Sequence, residues 1–208
     1  MKSIVTINSS LPTVEDRFEY FSGASLRDHD IALFDPTLPY LTRIDFSGGG
    51  SCIDIESTKR LDSAMKHWAT EIGGALSAGK TIFVPLAEYE EDSGAIGYEI
   101  GTRNCRSYKT HSLHNYQVLP FPLSLKNAKG RQIKVADGMF RGLLDTLKEV
   151  ASYRVILDES AGQPIFAAKD GAAVGSVLKP KGMPGHLVLL PYFNMIEHDT
   201  ADPEMWSD

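Results

Sequence analysis

Apolar residues along this chain follow two periods. Leu61, Met65, Trp68, Ile72 and Leu76 recur every three or four positions, which places them on one face of a helix from about Ser57 to Ala78. Ser57 is positioned to cap its start and Gly79 its end. Short apolar runs mark strands at Ile4 to Ile7, at Ile31 to Phe34 closed by Asp35-Pro36, and at Thr81 to Val84 stopped by Pro85. Between the first two strands, Tyr20, Phe21 and Leu26 predict a short helix plus a loop. The order strand, glycine turn, helix, strand is that of a βαβ unit in a parallel sheet.

From about Ala87 to Val135 the periodicity weakens, and the many Gly, Asn, Ser and Pro residues predict short strands and functional loops. Phe140, Leu143, Leu144, Leu147 and Val150 form a second helical stripe, with Asp137 as its cap. Tyr153 to Leu157, Pro164 to Ala168, Ala172 to Leu178 and Leu187 to Leu190 then read as strands linked by Ala-Gly, Asp-Gly and Pro-Gly turns. The first two of these connections read as hairpins. Residues 1–193 are thus expected to form a single α/β domain, and residues 194–208 a polar acidic tail.

Composition narrows the functional classes. At 208 residues, 42% hydrophobic and 23% charged, the chain can bury a full core. A net charge of -6 makes nucleic acid an unlikely partner, and Lys126, Lys129, Arg131 and Lys134 read as a solvated loop able at most to touch a local anion. Two cysteines make no disulfide framework, the start of the chain holds no secretory apolar segment, and no run is long enough to span a membrane. A cytoplasmic, reduced protein is expected.

Two segments carry a family resemblance. The first is Asp30-Ile-Ala-Leu-Phe-Asp35 followed by Gly48-Gly49-Gly50, a helix ending at Gly79, and the strand Thr81 to Pro85. The second is Gln163-Pro-Ile-Phe-Ala-Ala168 followed by Gly185-His-Leu-Val-Leu-Leu-Pro191. Over residues 4 to 192 this order resembles the class I glutamine amidotransferase-like superfamily, including its ThuA-like and other non-amidotransferase branches. The resemblance implies a flavodoxin-like α/β fold: a mainly parallel central sheet with helices on both faces, a C-terminal β-hairpin, and a cleft at the carboxyl ends of the strands. Active members place a nucleophilic cysteine in the turn after the strand that here ends near Pro85. This chain has Leu86-Ala87-Glu88 there, and its nearest late histidine, His198, falls in the tail. Glutaminase chemistry is therefore not expected, and no cofactor is implied.

The residues offer further chemistry. The run Phe46-Ser-Gly-Gly-Gly-Ser-Cys52, read as opening into the helix, would expose backbone N–H groups to an anion or carbonyl. Cys52 resembles half of a nucleophile elbow, although the helical pattern starts several residues later. Cys105, His111 and His114 are metal-ligand types, with His111 and His114 spaced to share a helical face, but they match no standard zinc pattern. Glu88, Glu90, Glu91 and Asp92 follow the Pro85 strand and read as a solvated acidic loop, with cation binding or action as a base as the functional alternative. Asn115-Tyr116 and Leu119-Pro120 fit either an aromatic ring set against the cleft or a buried tyrosine with its hydroxyl satisfied.

The reading that follows is a binding or accessory domain for a small molecule or protein partner. Its site is expected at Gly48, Gly49, Gly50, Ser51, Ala87, Glu88, His111, His114 and Tyr116, with neither a catalytic residue nor a resident metal assigned. The alternatives are a hydrolase using Cys52 or a metal on His111 and His114, and a structural subunit of a larger assembly, which calls for an exposed apolar patch. A homo-oligomer stays open.

Overall fold

A computed structural model describes residues 2–9, 14–45, 50–100, 106–138, 141–142, 151–158 and 161–193. The strands read from apolar runs form its centre. β1 (Ile4–Ile7), β3 (Ile31–Phe34), β6 (Thr81–Leu86) and β14 (His186–Phe193) lie side by side and parallel, and β2 (Asp16–Phe18) pairs with the outer side of β1. β2 and the turns after it occupy the segment where a short helix was expected. β6 runs through Pro85 rather than stopping at it. β3 pairs with β6 only as far as Phe83, so Pro85 lies where that side of the strand is already an edge.

α1 spans Ile55–Ser77 and covers one face of this parallel segment. Leu61, Trp68, Ile72 and Leu76 are fully buried against Ile7, Phe34, Val84 and Leu189. Each such side chain contributes about 1.5–3 kcal/mol through burial. The Trp68 indole Nε1 donates to the Tyr20 carbonyl at 2.6 Å, so the polar end of this large ring is satisfied. Asp54, not Ser57, is the N-cap, and its carboxylate accepts from the Ser57 N–H at 2.6 Å. At the other end Gly79 takes φ +82°, a left-handed conformation that favours glycine and lets the chain turn directly into β6.

The expected α/β fold with helices on both faces is overturned. Strands dominate the described residues, and α1 is the one long helix among them. The reason is that the polar, glycine-rich middle pairs with itself. β7 (Glu91–Ile100) and β8 (Arg106–His114) form a long antiparallel hairpin. Together with β4 (Arg43–Asp45) and β5 (Ser51–Ile53) it makes a separate four-stranded sheet, ordered β4-β5-β7-β8. The second helical stripe, from Phe140 to Val150, lies outside the described residues.

The remaining strands close into a ring. β9 (Leu125–Gly130) pairs with β11 (Ala151–Leu157), β11 with β13 (Ala173–Leu178), β13 with β12 (Gln163–Ala168), and β12 with β10 (Ile133–Val135), all antiparallel. Residues 131–132 join β9 to β10 and complete the circuit. Ile165, Phe166, Ala168, Val174, Val188 and Leu190 form its own apolar cluster. Leu187 and Leu189 belong to the α1 core and Val188 and Leu190 to the ring, so the two-residue period of β14 ties one core to the other. The Asp-Gly turn is a hairpin, joining β12 to β13. The Ala-Gly turn is not, because β11 pairs with β9, β13 and β14 instead of β12.

Gly185 sets the start of β14 tightly against α1. Its N–H donates to the Leu76 carbonyl at 2.8 Å, and a β-carbon at this position would lie 2.4 Å from the Lys80 carbonyl oxygen.

Candidate functional site at the carboxyl edge

Because β1, β3, β6 and β14 are parallel, their carboxyl ends share one edge. β2 lies on one side of β1 and β3 on the other, so strand order reverses between β1 and β3. In open α/β sheets a reversal of this kind is where ligands usually bind. Asn8 and Asp35 flank it. Asn8 adopts φ 55° as the chain leaves β1, and its side-chain amide donates to the carbonyls of Asp35 at 3.1 Å and Thr37 at 2.8 Å. The part-buried Asp35 carboxylate accepts from the Thr37 N–H at 2.9 Å and the Thr37 hydroxyl at 2.7 Å. Burial nevertheless lifts its pKa above the ordinary aspartate value, because the two bonds from Thr37 offset only part of the desolvation.

Residues 87–90 leave β6 at this edge and are held by Tyr116, Asn115 and Asn127. The buried Tyr116 hydroxyl donates to the Ala87 carbonyl at 2.6 Å. Asn115, fully buried, donates to the Glu88 carbonyl at 2.8 Å and accepts from the Glu90 N–H at 3.2 Å. Asn127 on β9 accepts from the Tyr89 N–H at 2.8 Å and donates to the Tyr89 carbonyl at 3.1 Å, as a neighbouring strand would. The Tyr89 ring lies 6.4 Å from that of Tyr116, nearly parallel to it, and 5.3 Å from the His114 imidazole. Glu88 forms an ion pair with Lys129 at 2.8 Å.

The electrostatics of the edge are acidic. The Glu90 carboxyl is pushed up by partial desolvation and then by the negative charges of Glu88, Asp35 and Asp92. Burial, followed by Asp35 and Glu90, raises the Tyr116 phenol and keeps it a neutral donor. Burial lowers His114 against a smaller opposing pull from Glu91, so its imidazole is neutral at pH 7. Its Nδ1 and the Ser9 hydroxyl are buried without a partner among the described residues.

The structure brings together some of the expected site residues and separates others. Ala87, Glu88, His114 and Tyr116 meet at this edge. Ser51 reaches it indirectly: its hydroxyl accepts from Arg43 Nε at 3.0 Å, and the Arg43 guanidinium pairs with Asp92 at the start of β7. Gly50, exposed with φ 134°, precedes β5 rather than the helix, so the helix start does not present bare N–H groups to a glycine loop as expected. Gly48, Gly49 and Cys105 lie outside the described residues. His111 and His114 sit three apart on strand β8, hence on opposite faces, which overturns their sharing of a helical face. Cys52 is fully buried on β5, and desolvation raises its thiol, the reverse of what a thiolate nucleophile needs.

Other expectations resolve in the same way. Among the described residues no three His, Cys, Asp or Glu side chains are grouped as a metal site. Lys126 and Lys129 belong to β9 and Lys134 to β10, instead of a loop. The large apolar side chains described as exposed, Ile4, Tyr40 and Ile96, are scattered singly and form no patch. Among the described residues no helix is long and apolar enough to cross a membrane.

Asn8, Asp35, Tyr89 and Asn127 were missed as site residues. Their one signal in the sequence is Asp35-Pro36, a polar pair that closes an apolar strand. Neither a family model, nor a curated protein, nor a solved structure matches the chain.

Proposed function

We propose that the carboxyl edge is a binding site for a small ligand bearing a cationic group, an amine or guanidinium, and that the chain acts as a binding or accessory domain. The observation that carries this reading is the fastening of residues 87–90 by Asn115, Tyr116 and Asn127, which holds Glu90 within reach of the charges of Asp35 and Glu88 near the reversal of strand order. A loop fixed by buried side chains binds without first having to be ordered. The Glu90 carboxyl, raised by burial and then by its acidic neighbours, gains from a nearby cation, and the Tyr89 ring adds a face on which one can rest. The scarcity of cysteine and the net negative charge support a reducing, cytoplasmic setting without nucleic acid as partner.

The test is a calorimetric and thermal-shift titration with diamines, polyamines and guanidinium compounds, run on the wild type and on the Asp35→Asn, Glu90→Gln double variant. Ligand-dependent stabilisation in the wild type that the variant loses supports the reading. No stabilisation by any of these cations, or equal stabilisation of both proteins, refutes it.

A further inference from the structure

A separate feature lies at the opposite, amino edge of the sheet, where α1 ends. Between the last turns of α1 and residues 25–27 the surface opens into a hollow of about 360 Å³. This lies within the roughly 300–1,000 Å³ range of small-molecule sites. Its helical floor is made of small residues, among them Gly74 and Ala78. Glycine inside a helix costs stability relative to alanine. At Gly73 a β-carbon would make an ordinary contact, 3.4 Å from the Pro120 side chain. At Gly74 there is none: a β-carbon there meets nothing within 4 Å. What the missing side chain does at Gly74 is leave the hollow open.

The rim carries charge of both signs, held in place by the backbone. Glu71 Oε2 accepts from the Ser25 hydroxyl at 2.8 Å and the Leu26 N–H at 2.7 Å, while Oε1 has no partner among the described residues. Lys80 Nζ donates to the carbonyls of Leu26 and Arg27, which leaves one of its three protons unspent. Arg27 also lines the hollow, and its guanidinium has no partner among the described residues. A pure anion would meet Glu71 and the carbonyl end of α1. A pure cation would meet Lys80 and Arg27. Only a molecule with both charges suits both ends of the rim.

We propose that this hollow binds a small zwitterion of the α-amino acid class. Its ammonium donates to Glu71 Oε1, its carboxylate accepts from Lys80 and Arg27, and its side chain covers Gly74 and Ala78. The proposal is independent of the carboxyl-edge reading, since the two sites lie at opposite ends of the strands and are tested by different variants, Gly74→Leu and Glu71→Gln here against Asp35→Asn with Glu90→Gln there.

The test titrates the full chain with each of the twenty α-amino acids up to millimolar concentrations, by calorimetry and thermal shift. At least one should bind, and its methyl ester and its decarboxylated amine should each bind at least about tenfold weaker, as the loss of one charged contact requires. Gly74→Leu fills the hollow with a better helix former and should abolish binding while still melting cooperatively. Glu71→Gln keeps an acceptor for Ser25 and Leu26 but removes the charge, and should weaken binding at least about tenfold, so the idea stays testable even if the leucine variant misfolds. It is overturned if no amino acid binds, if the ester binds as well as the acid, or if Glu71→Gln binds like the wild type.

Discussion

The Tyr116 hydroxyl donates to the Ala87 carbonyl oxygen at 2.6 Å, joining the end of β6 to the short 3₁₀ turn Asn115–Val118 that follows β8. Through this bond the four-stranded sheet holds the loop that the ten-stranded sheet presents. Tyr116→Phe removes the donor and leaves the buried Ala87 carbonyl unpaired, so it is expected to cost about 1–3 kcal/mol by chemical denaturation. In the same variant the amide protons of residues 87–90 should exchange faster with solvent. A variant as stable as the wild type, with unchanged exchange, would show that the loop is held by Asn115 and Asn127 alone.

Titration of the carboxyl edge gives a second expectation. Asp35 and Glu90 have folded-state pKa values raised above their ordinary 3.8 and 4.5. A carboxyl raised by folding contributes stability that is fully present below the unfolded pKa and lost as pH rises through the folded value. Asp35→Asn should therefore remove part of the fall in stability that sets in as pH rises above the ordinary aspartate value of 3.8, with Glu90, the more exposed of the two, contributing less. Ligand binding runs the other way, because a cation needs both groups ionised: affinity should decline as pH falls through these raised values. Denaturation profiles of wild type and variant from below the ordinary values to above the raised ones, with ligand titrations at each end, check both signs.

Trp68 is fully buried, its ring centroid is 5.6 Å from that of Phe34, and its indole satisfies the Tyr20 carbonyl. Trp68→Ala should cost about 3–5 kcal/mol, toward the upper end because a buried carbonyl loses its donor together with the ring. The midpoint of urea unfolding measures it, and a midpoint that barely moves would mean that the α1 core repacks around the gap.

Gly185→Ala drives a methyl group onto two backbone carbonyls, those of Leu76 and Lys80, neither of which can rotate away. A loss of at least about 2 kcal/mol is expected. Gly171→Ala makes the informative control: that glycine has φ +94° but no neighbour within 4 Å, so its substitution reports backbone strain without a clash.

The parallel segment and α1 are legible in the sequence because their signals are local and unopposed: continuous apolar runs at Ile4, Ile31 and Thr81, and a helical stripe centred on Trp68. The β7/β8 hairpin is not legible, since Gly94, Gly97 and the charged Glu91, Asp92 and Lys109 interrupt its two-residue period, and its register is set by pairing rather than by composition. The ring is invisible for a related reason, because β11 joins strands far apart in the chain. At the site, Glu88 and Tyr116 could be named from their position after β6 and from their residue type. Asn115 acts by filling hydrogen bonds in a fully buried setting, and Asp35 by desolvation, and neither property leaves a mark in sequence spacing.

The place of β14 in the sheet also orders events in time. Thr81 pairs with His186, and the neighbours of β6 are a strand made before it and a strand made well after it. During synthesis β6 emerges with α1 and β3 but must wait for roughly half the chain before its second side is covered, and closing so long a loop slows folding. Until β14 arrives, the apolar edge of β6 is open to other chains. Refolding of the full chain should accordingly be slow and sensitive to protein concentration, with the docking of β14 as the step that commits the two cores to one another.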